Sequence, residues 1–254
     1  MADWADLNAE LEAWRLDGRK VTFWWRDDDS QYDDPTIHRL LTLRRELQVP
    51  LAVSAIPSAT DSLFAENVNA DSDVYVLQHG YAHGNHAPPG VKKSELAENR
   101  AGQTVFKELR LGMGTLRTLF DDRCLPVLVP PWNRIHEKWV VELPGLGYRG
   151  LSMMTPRTTA FTEQGLHIVN VHVDIVDWRG SRGFIGLDRA LDQLVTHLQQ
   201  RRNKDVDADE PTGLLTHHLM HDEGCWGFID ELIHITNSHP SVQWLPASKI
   251  FNLG

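Results

Sequence analysis

Short apolar runs rich in β-branched and aromatic residues alternate along this sequence with longer segments whose apolar residues recur at helical spacing. The run at residues 21–25 is the first predicted strand, and residues 35–47 follow it as a predicted amphipathic helix. The alternation continues through the 254-residue chain with no internal repeat and no linker that would separate domains. Strands that alternate with helices assemble into a parallel sheet. The sequence therefore predicts one α/β domain, and the periodicity leaves open whether its sheet is open or closed into a barrel.

The other predicted elements follow the same two patterns. Further strands are predicted at residues 51–55, 74–77, 126–129, 150–153, 168–173, 213–217 and 242–245. Helices are predicted at residues 5–16, 61–66, 93–120, 137–143, 187–201 and 228–236.

Composition excludes several classes of protein. A hydrophobic fraction of 41% supports a sizeable core, and no apolar stretch approaches the length of a transmembrane helix. The net charge of −10 argues against nucleic acid and anionic membrane surfaces as partners. The first twenty residues are polar and lack the basic start and apolar centre of a signal peptide, so a cytoplasmic protein is expected. Two cysteines are too few for a disulfide framework.

Polar residues that can do chemistry cluster immediately after the predicted strands. In a parallel α/β fold the carboxyl ends of all strands share one face, so clusters that are distant in sequence meet around one pocket. These clusters are residues 27–29, 79–86, 130–134, 174–178 and 217–222.

The first cluster consists of three adjacent carboxylates, Asp27, Asp28 and Asp29, at the end of a predicted buried strand. Like charges repel one another, so this placement does not favour stability and is typical of a catalytic or metal-binding position. The alternative is a solvated acidic turn or a helix cap, since a helix is predicted to begin at Pro35. The triplet alone does not decide between the two.

His79 and His83 are four residues apart. If the chain from Gly80 onward forms a helical turn, both imidazoles lie on one side and can bind one ion. The spacing alone is weak evidence, because surface and core histidines are common. A carboxylate from another strand end would complete a frequent ligand set for a catalytic divalent ion. His86 is interpreted as a residue of the pocket wall.

Five motifs in order resemble the polysaccharide deacetylase superfamily, which is carbohydrate esterase family 4 or the NodB-homology domain. The resemblance extends from Thr22 to about His221 and implies an irregular seven-stranded β/α barrel, with one catalytic domain over residues 1–254 and residues 1–19 as a lead-in helix. The motifs are Asp28-Asp29, the sequence from His79 to His83, Pro131-Trp132, the sequence from Asp174 to Trp178, and Leu215-Thr216-His217.

The resemblance also implies a role for each matching position. Asp29, His79 and His83 would bind a divalent metal ion, with zinc expected. Asp28 would be the general base, His217 the general acid that protonates the leaving amine, and Asp177 the carboxylate that orients His217. The expected substrate-binding residues are Pro131, Trp132, Asn133, Arg134, Trp178 and His218, with the two tryptophans as apolar walls.

The departures from the family pattern leave two assignments open. An arginine precedes three aspartates and Ser30 replaces the usual glycine, so the pair could be Asp27 and Asp28 instead. The later pair is preferred. His217 and His218 are adjacent and point to opposite faces of a strand, and the Leu-x-His pattern favours His217 as the acid. The arginine that usually precedes the proline loop is missing, so Arg26 or Arg134 is expected to tune the base.

The sequence therefore predicts a metal-dependent hydrolase that removes an N-acyl group, expected to be N-acetyl, from a small carbohydrate or sugar conjugate. One alternative is an amidohydrolase that acts on a non-sugar amide. The other is a catalytically silent carbohydrate-binding relic of the fold. The sequence does not predict the oligomeric state.

Overall fold

In the computed structural model, which describes residues 2–253, strands and helices alternate as predicted. The strands are β1 (Val21–Ser30), β2 (Leu51–Ala55), β3 (Val74–His79), β4 (Cys124–Val129), β5 (Gly150–Leu151), β6 (His167–Ile168), β7 (Val173–Asp174), β8 (Thr212–Thr216) and β9 (Val242–Trp244). The helices are α1 (Trp4–Leu16), α2 (Pro35–Leu47), α3 (Ser62–Asn69), α4 (Gly102–Phe120), α5 (Glu137–Val140), α6 (Leu187–Asn203), α7 (Glu223–Ser238) and α8 (Ala247–Ile250). No helix within residues 2–253 is both long and apolar enough to cross a bilayer.

The strands form one parallel sheet in the order β6-β5-β4-β3-β2-β1-β8-β7. Residues 167–174 contain both terminal strands and connect them. Val169 donates its backbone N–H to the carbonyl of Leu151 on the β5 side, and His172 donates to the carbonyl of Gly213 on the β8 side. Counted as one strand, this segment closes a ring of seven, while β9 pairs separately with the start of β1. The predicted irregular β/α barrel is confirmed.

The two faces of β1 belong to two different hydrophobic clusters. Trp24 packs inside the barrel with Leu215 of β8 and with Phe251, which lies at the C-terminal end of α8. Trp25 belongs to the larger cluster between the sheet and the surrounding helices. Alternation of side chains along a strand then assigns every second residue to the interior. Arg26 and Asp28 share the inner face with Trp24, and Asp27 shares the outer face with Trp25.

Several boundaries differ from the sequence prediction, and three of the differences change the architecture near the site. β1 continues through the aspartates to Ser30, because its edges pair with β2 and β8 beyond Trp25. Helix α4 begins at Gly102, nine residues later than predicted, and the preceding segment forms a loop anchored by Glu95. The predicted strand 168–173 is split into β6 and β7, because its residues change pairing partner from β5 to β8.

Candidate functional site

A bulge at the end of β1 turns the third aspartate away from the regular alternation. The register with β2 shifts between Asp27 and Ser30, and Asp29 has a φ angle of 68°. This left-handed conformation is strained for a residue with a Cβ atom and is found mainly where function requires it. The bulge places the Asp29 carboxylate at the carboxyl-end mouth of the barrel.

Asp29 meets the two histidines of the HxxxH motif at this mouth. Its Oδ1 atom lies 3.1 Å from Nε2 of His79 and 3.2 Å from Nε2 of His83. The ligand atoms of the three side chains lie within 4.8 Å of one another. Burial opposes the charge on Asp29, but hydrogen bonding to both histidines lowers its pKa below the usual range. The carboxylate is therefore ionised at neutral pH.

The tautomer of His79 shows that this contact needs a cation. The only hydrogen-bond partner of His79 Nδ1 in the described chain is the carbonyl oxygen of Val129, at 3.1 Å, so Nδ1 carries the proton of the neutral ring. Nε2 then presents a lone pair to the Asp29 carboxylate. Two acceptors at 3.1 Å are stable only with a second proton on the ring or a metal ion between them. The donor set fits a divalent ion.

The loop that carries His83 is not the helical turn on which the spacing argument relied. Gly80 has a φ angle of 57°, and a Cβ atom there would lie 1.9 Å from a carboxylate oxygen of Glu95. That carboxylate accepts hydrogen bonds from the backbone N–H groups of Tyr81 and Ala82. His83 itself has a φ angle of 55°. The loop thus brings the two imidazoles together through left-handed conformations at Gly80 and His83, and no pattern in the sequence predicts the part played by Glu95.

Asp28 lies on the inner face, beside the metal-ligand candidates. One of its oxygens, Oδ2, accepts a hydrogen bond of 2.9 Å from Arg26, whose side chain is fully buried. Arg26 also donates to Ser152 Oγ at 2.6 Å and to Asn133 Oδ1 at 2.7 Å. The other carboxylate oxygen, Oδ1, has no partner within residues 2–253. Asp28 is thus held at one oxygen and free to accept a proton at the other.

His217 follows β8 on the same inner face. Its ring packs edge-on against Trp178, with 4.7 Å between the ring centres. Its backbone N–H donates to Nε2 of His221 at 3.2 Å, which fixes the turn. Nδ1 of His217 has no hydrogen-bond partner among the described residues. The imidazole is therefore buried yet available for proton transfer.

The carboxylate near His217 is Asp174, and the structure does not bring Asp177 to the imidazole. Asp177 lies in the turn after β7, where its Oδ1 accepts the backbone N–H of Gly180. Asp174 pairs with Leu215 across the sheet and so lies on the inner face. Burial raises the pKa of Asp174, and the charge of His217 opposes that shift. These contacts favour Asp174 over Asp177 as the carboxylate that interacts with His217.

Asp27 and His218 pair with each other on the outer face. Nδ1 of His218 is bonded to Oδ1 of Asp27, and the backbone N–H of His218 donates to the other oxygen at 3.0 Å. Thr216 Oγ1 also donates to Asp27, at 2.6 Å. Both side chains are at most 1% exposed. His218 lies in the 3-10 turn after β8 and its ring is held against Asp27, so this geometry gives no support to the expected contact of His218 with substrate.

The proline loop after β4 contributes side chains from a strained turn. Trp132 and Asn133 have φ angles of 57° and 54°. The Trp132 ring lies 4.3 Å from that of His83, centre to centre. Pro131 is buried against the site, whereas Arg134 is exposed and donates to the carbonyl of Lys93. Arg26, and not Arg134, therefore contacts the candidate base.

A second cluster of potential ligands lies at the opposite end of the barrel and was not predicted. It consists of His172, His197 and Glu210, all buried. Nδ1 of His172 accepts the N–H of Gly213, so Nε2 carries the proton and faces Glu210 at 3.3 Å. The rings of His172 and His197 stack almost parallel at 3.6 Å, so their lone pairs do not converge. Within the described residues Nε2 of His197 has no hydrogen-bond partner, whereas its Nδ1 is hydrogen-bonded to Thr212 Oγ1 and His172 is paired with Glu210.

Solved structures of carbohydrate esterase family 4 share this fold. The Bc1960 peptidoglycan N-acetylglucosamine deacetylase has 15% identity and a TM-score of 0.61 over 95% of this chain and 97% of its own. A family 4 acetyl xylan esterase from Clostridium thermocellum, solved with a cobalt ion, has 12% identity and a TM-score of 0.56 over 91% of each chain. The family 4 pseudoenzyme BA3943 from Bacillus anthracis has 12% identity and a TM-score of 0.58 over 92% of this chain and 66% of its own.

No protein-family model matches the chain, and no curated protein matches it by sequence. At such low identities the likeness shows the fold. The chain has the polysaccharide deacetylase fold, as the five ordered motifs predict.

Proposed function

We propose that the protein is a divergent family 4 deacetylase that hydrolyses the N-acetyl group of an amino sugar. One observation carries the proposal. The metal-ligand candidates Asp29, His79 and His83 lie at the same mouth of the barrel as Asp28 and His217. In this fold the carboxyl ends of the strands are where catalytic groups collect. A structural role alone does not account for five such side chains from three strands.

Asp29, His79 and His83 would hold a divalent ion, with zinc as the expected metal. Two neutral imidazoles and one carboxylate leave open coordination positions, as catalytic sites require. When bound, the ion would polarise the amide carbonyl and lower the pKa of a water molecule. The bulge at Asp29 and the carbonyl of Val129 orient two of the ligands before any ion arrives.

Asp28 would act as the general base. Arg26 holds one carboxylate oxygen and leaves the other free, so the proton has one defined destination. The guanidinium of Arg26 also forms a buried ion pair with Asp28, at 2.9 Å. Asn133 and Ser152 in turn fix the guanidinium, which places the base against the proline loop.

His217 would act as the general acid that delivers a proton to the leaving amine. It lies on the same inner face as Asp28 and across the mouth from the proline loop. Asp174, rather than Asp177, is the carboxylate that would orient this ring, and the charge of His217 opposes the rise that burial causes in the pKa of Asp174. Acid and base on opposite sides of a carbonyl are the arrangement that amide hydrolysis needs.

Two tryptophans flank the mouth and support a carbohydrate substrate. Trp132 packs on His83 and Trp178 on His217, and 40% of Trp178 is exposed. Exposed aromatic faces suit the apolar faces of sugar rings. The N-acetylglucosamine substrate of the Bc1960 enzyme makes an N-acetylated amino sugar the first candidate.

The test is release of acetate from N-acetylglucosamine monomers, short oligomers, and peptidoglycan or chitin polymers, with and without added Zn²⁺. Deacetylation that is absent in the Asp28→Asn variant supports the proposal. Faster turnover of the long polymers would contradict the expected preference for a small sugar or sugar conjugate. Hydrolysis of non-sugar amides alone would identify an amidohydrolase. Metal binding without any hydrolysis would place the chain with pseudoenzymes of this fold, such as BA3943.

A further inference from the structure

A cavity of about 260 Å³ lies at the end of the barrel opposite to the candidate metal site. Thr22, at the start of β1, lines it, and Asp29 lies seven positions further along β1. At about 3.3 Å per residue the two sites are roughly 20 Å apart. The lining residues are Trp14, Arg19, Lys20, Thr22, Arg201, Ala208 and Asp209.

Arg201 is a buried cation without a carboxylate partner. It is 1% exposed, and its hydrogen bonds go to the carbonyls of Thr22 and Ala208 and to the hydroxyls of Thr22 and Thr212. No carboxylate of residues 2–253 lies within 4 Å of its nitrogens, and its Nε–H has no acceptor. A buried charge is costly unless it is paired. Burial accordingly lowers the pKa of Arg201 to about 10, which is unusual for a guanidinium.

Trp14 adds a second buried donor without an acceptor. Its side chain is almost fully buried, and Nε1 has no hydrogen-bond partner in the described chain. The ring lies between two guanidinium groups, with the central carbon of Arg19 at 4.1 Å and that of Arg201 at 5.2 Å from its centre. Stacking on the ring explains the position of the cations, but it gives no acceptor to Nε1 of Trp14 or to Nε of Arg201. Unused buried donors are rare in folded proteins.

The charges around the cavity do not balance. Arg19 and Lys20 donate only to backbone carbonyls, those of Arg202 and Pro240. With Arg201 they make three cations on the lining, against the single carboxylate of Asp209. Among the lining residues alone, the positive charges outnumber the negative ones by two, which favours an anion as the ligand.

We propose that this cavity binds a phosphate group, either as inorganic phosphate or as the monoester of a small molecule. Guanidinium groups match the geometry of phosphate oxygens, and several N–H donors can bind one phosphate at once. A bound phosphate would supply the missing acceptors for Arg201 and Trp14 and would neutralise the surplus charge. The cavity volume exceeds that of phosphate alone, which leaves room for a small organic group.

Calorimetric titration of the full-length protein with inorganic phosphate, at constant ionic strength set by chloride, tests the proposal. Phosphate should bind at one site per chain and raise the urea midpoint of unfolding, and chloride should do neither. Arg19→Gln should weaken binding by about tenfold, as expected for one lost charged hydrogen bond. Asp209→Asn should strengthen binding, because it removes the only negative charge of the lining. A parallel titration with a hexose phosphate shows whether the monoester is preferred.

Two controls separate specific binding from other effects. Arg45→Gln removes the same charge from an exposed position on α2 and should leave phosphate binding unchanged. His83→Ala weakens the candidate metal site and should also leave it unchanged. The absence of a phosphate-specific effect would overturn the proposal, as would equal weakening in Arg19→Gln and Arg45→Gln. Loss of binding in His83→Ala would assign the phosphate to the metal centre instead. None of these outcomes depends on deacetylase activity.

Discussion

The carboxylate of Asp29 and the imidazole of His79 face each other at 3.1 Å with no proton between them when the ring is neutral. A metal ion bound between the carboxylate and the ring nitrogen would make this contact favourable, and His83 supplies the third ligand atom. We expect close to one divalent ion per purified chain and the loss of most of it in His83→Ala. Elemental analysis measures both. His38→Ala, which removes an exposed histidine paired with Asp33, is the matched control. Full metal occupancy in His83→Ala would show that the ligand set is wrong.

The second prediction concerns which aspartate of the triplet at residues 27–29 is the general base. Asp28→Asn should lower turnover by about a hundredfold to ten-thousandfold, the usual contribution of a general base, and leave the metal in place. The variant keeps a hydrogen-bonding oxygen opposite Arg26, so the fold should tolerate it. Initial rates of acetate release and metal content are the measurements. If Asp28→Asn stays active while Asp27→Asn keeps its fold and loses turnover, the base is Asp27.

Much of this architecture could be predicted because it depends on local patterns. Strand–helix alternation indicates a parallel sheet, and strand ends in such a sheet share one face, which brought Asp29, His79 and His217 together. Period-two alternation likewise predicts that His217 and His218 point to opposite faces. These inferences need only the position of each residue within a strand.

The errors concern residues whose position depends on loops. Asp177 and Asp174 both belong to the same short motif, and only the turn after β7 decides which of them remains beside β8. Glu95 was assigned to a helix, because nothing in the sequence shows that its carboxylate binds the backbone of the HxxxH loop. The sequence likewise does not predict the bulge at Asp29, because an aspartate in the left-handed region has no sequence signature.

The two adjacent histidines after β8 give the third prediction. His217→Ala should lower turnover by about a hundredfold or more with little change in stability, because Nδ1 makes no hydrogen bond in the described structure. His218→Ala should instead lower the free energy of unfolding by about 3 to 5 kcal/mol, because it leaves Asp27 buried without its partner. Urea denaturation and acetate release measured on both variants compare the two effects. The opposite pattern would make His218 the acid.

The remaining prediction concerns pH. Burial, with the nearby charges of His172 and Arg201, lowers the pKa of His197 to about 2, whereas an unfolded histidine takes up a proton near pH 6.5. The unfolded state therefore binds more protons than the folded state below pH 6.5, and stability falls as the pH falls toward 2. One pH unit below 6.5, the loss from this ring is about 1.4 kcal/mol. Burial raises the pKa of Glu210 to about 7, which acts in the opposite direction, so the wild-type slope alone is not diagnostic.

Comparison with the His197→Gln variant isolates the contribution of His197 to the pH dependence of stability. The glutamine keeps a polar partner for Thr212 and cannot titrate in this range. Between pH 7.5 and 5.5 the wild-type free energy of unfolding should fall by about 1.4 kcal/mol more than that of the variant. Urea titrations at both pH values, with metal present throughout, give the difference. Equal changes in the free energy of unfolding of the two proteins would mean that His197 is already protonated in the folded state. The buried network that joins His197 to Arg201 through Thr212 would then carry a second positive charge.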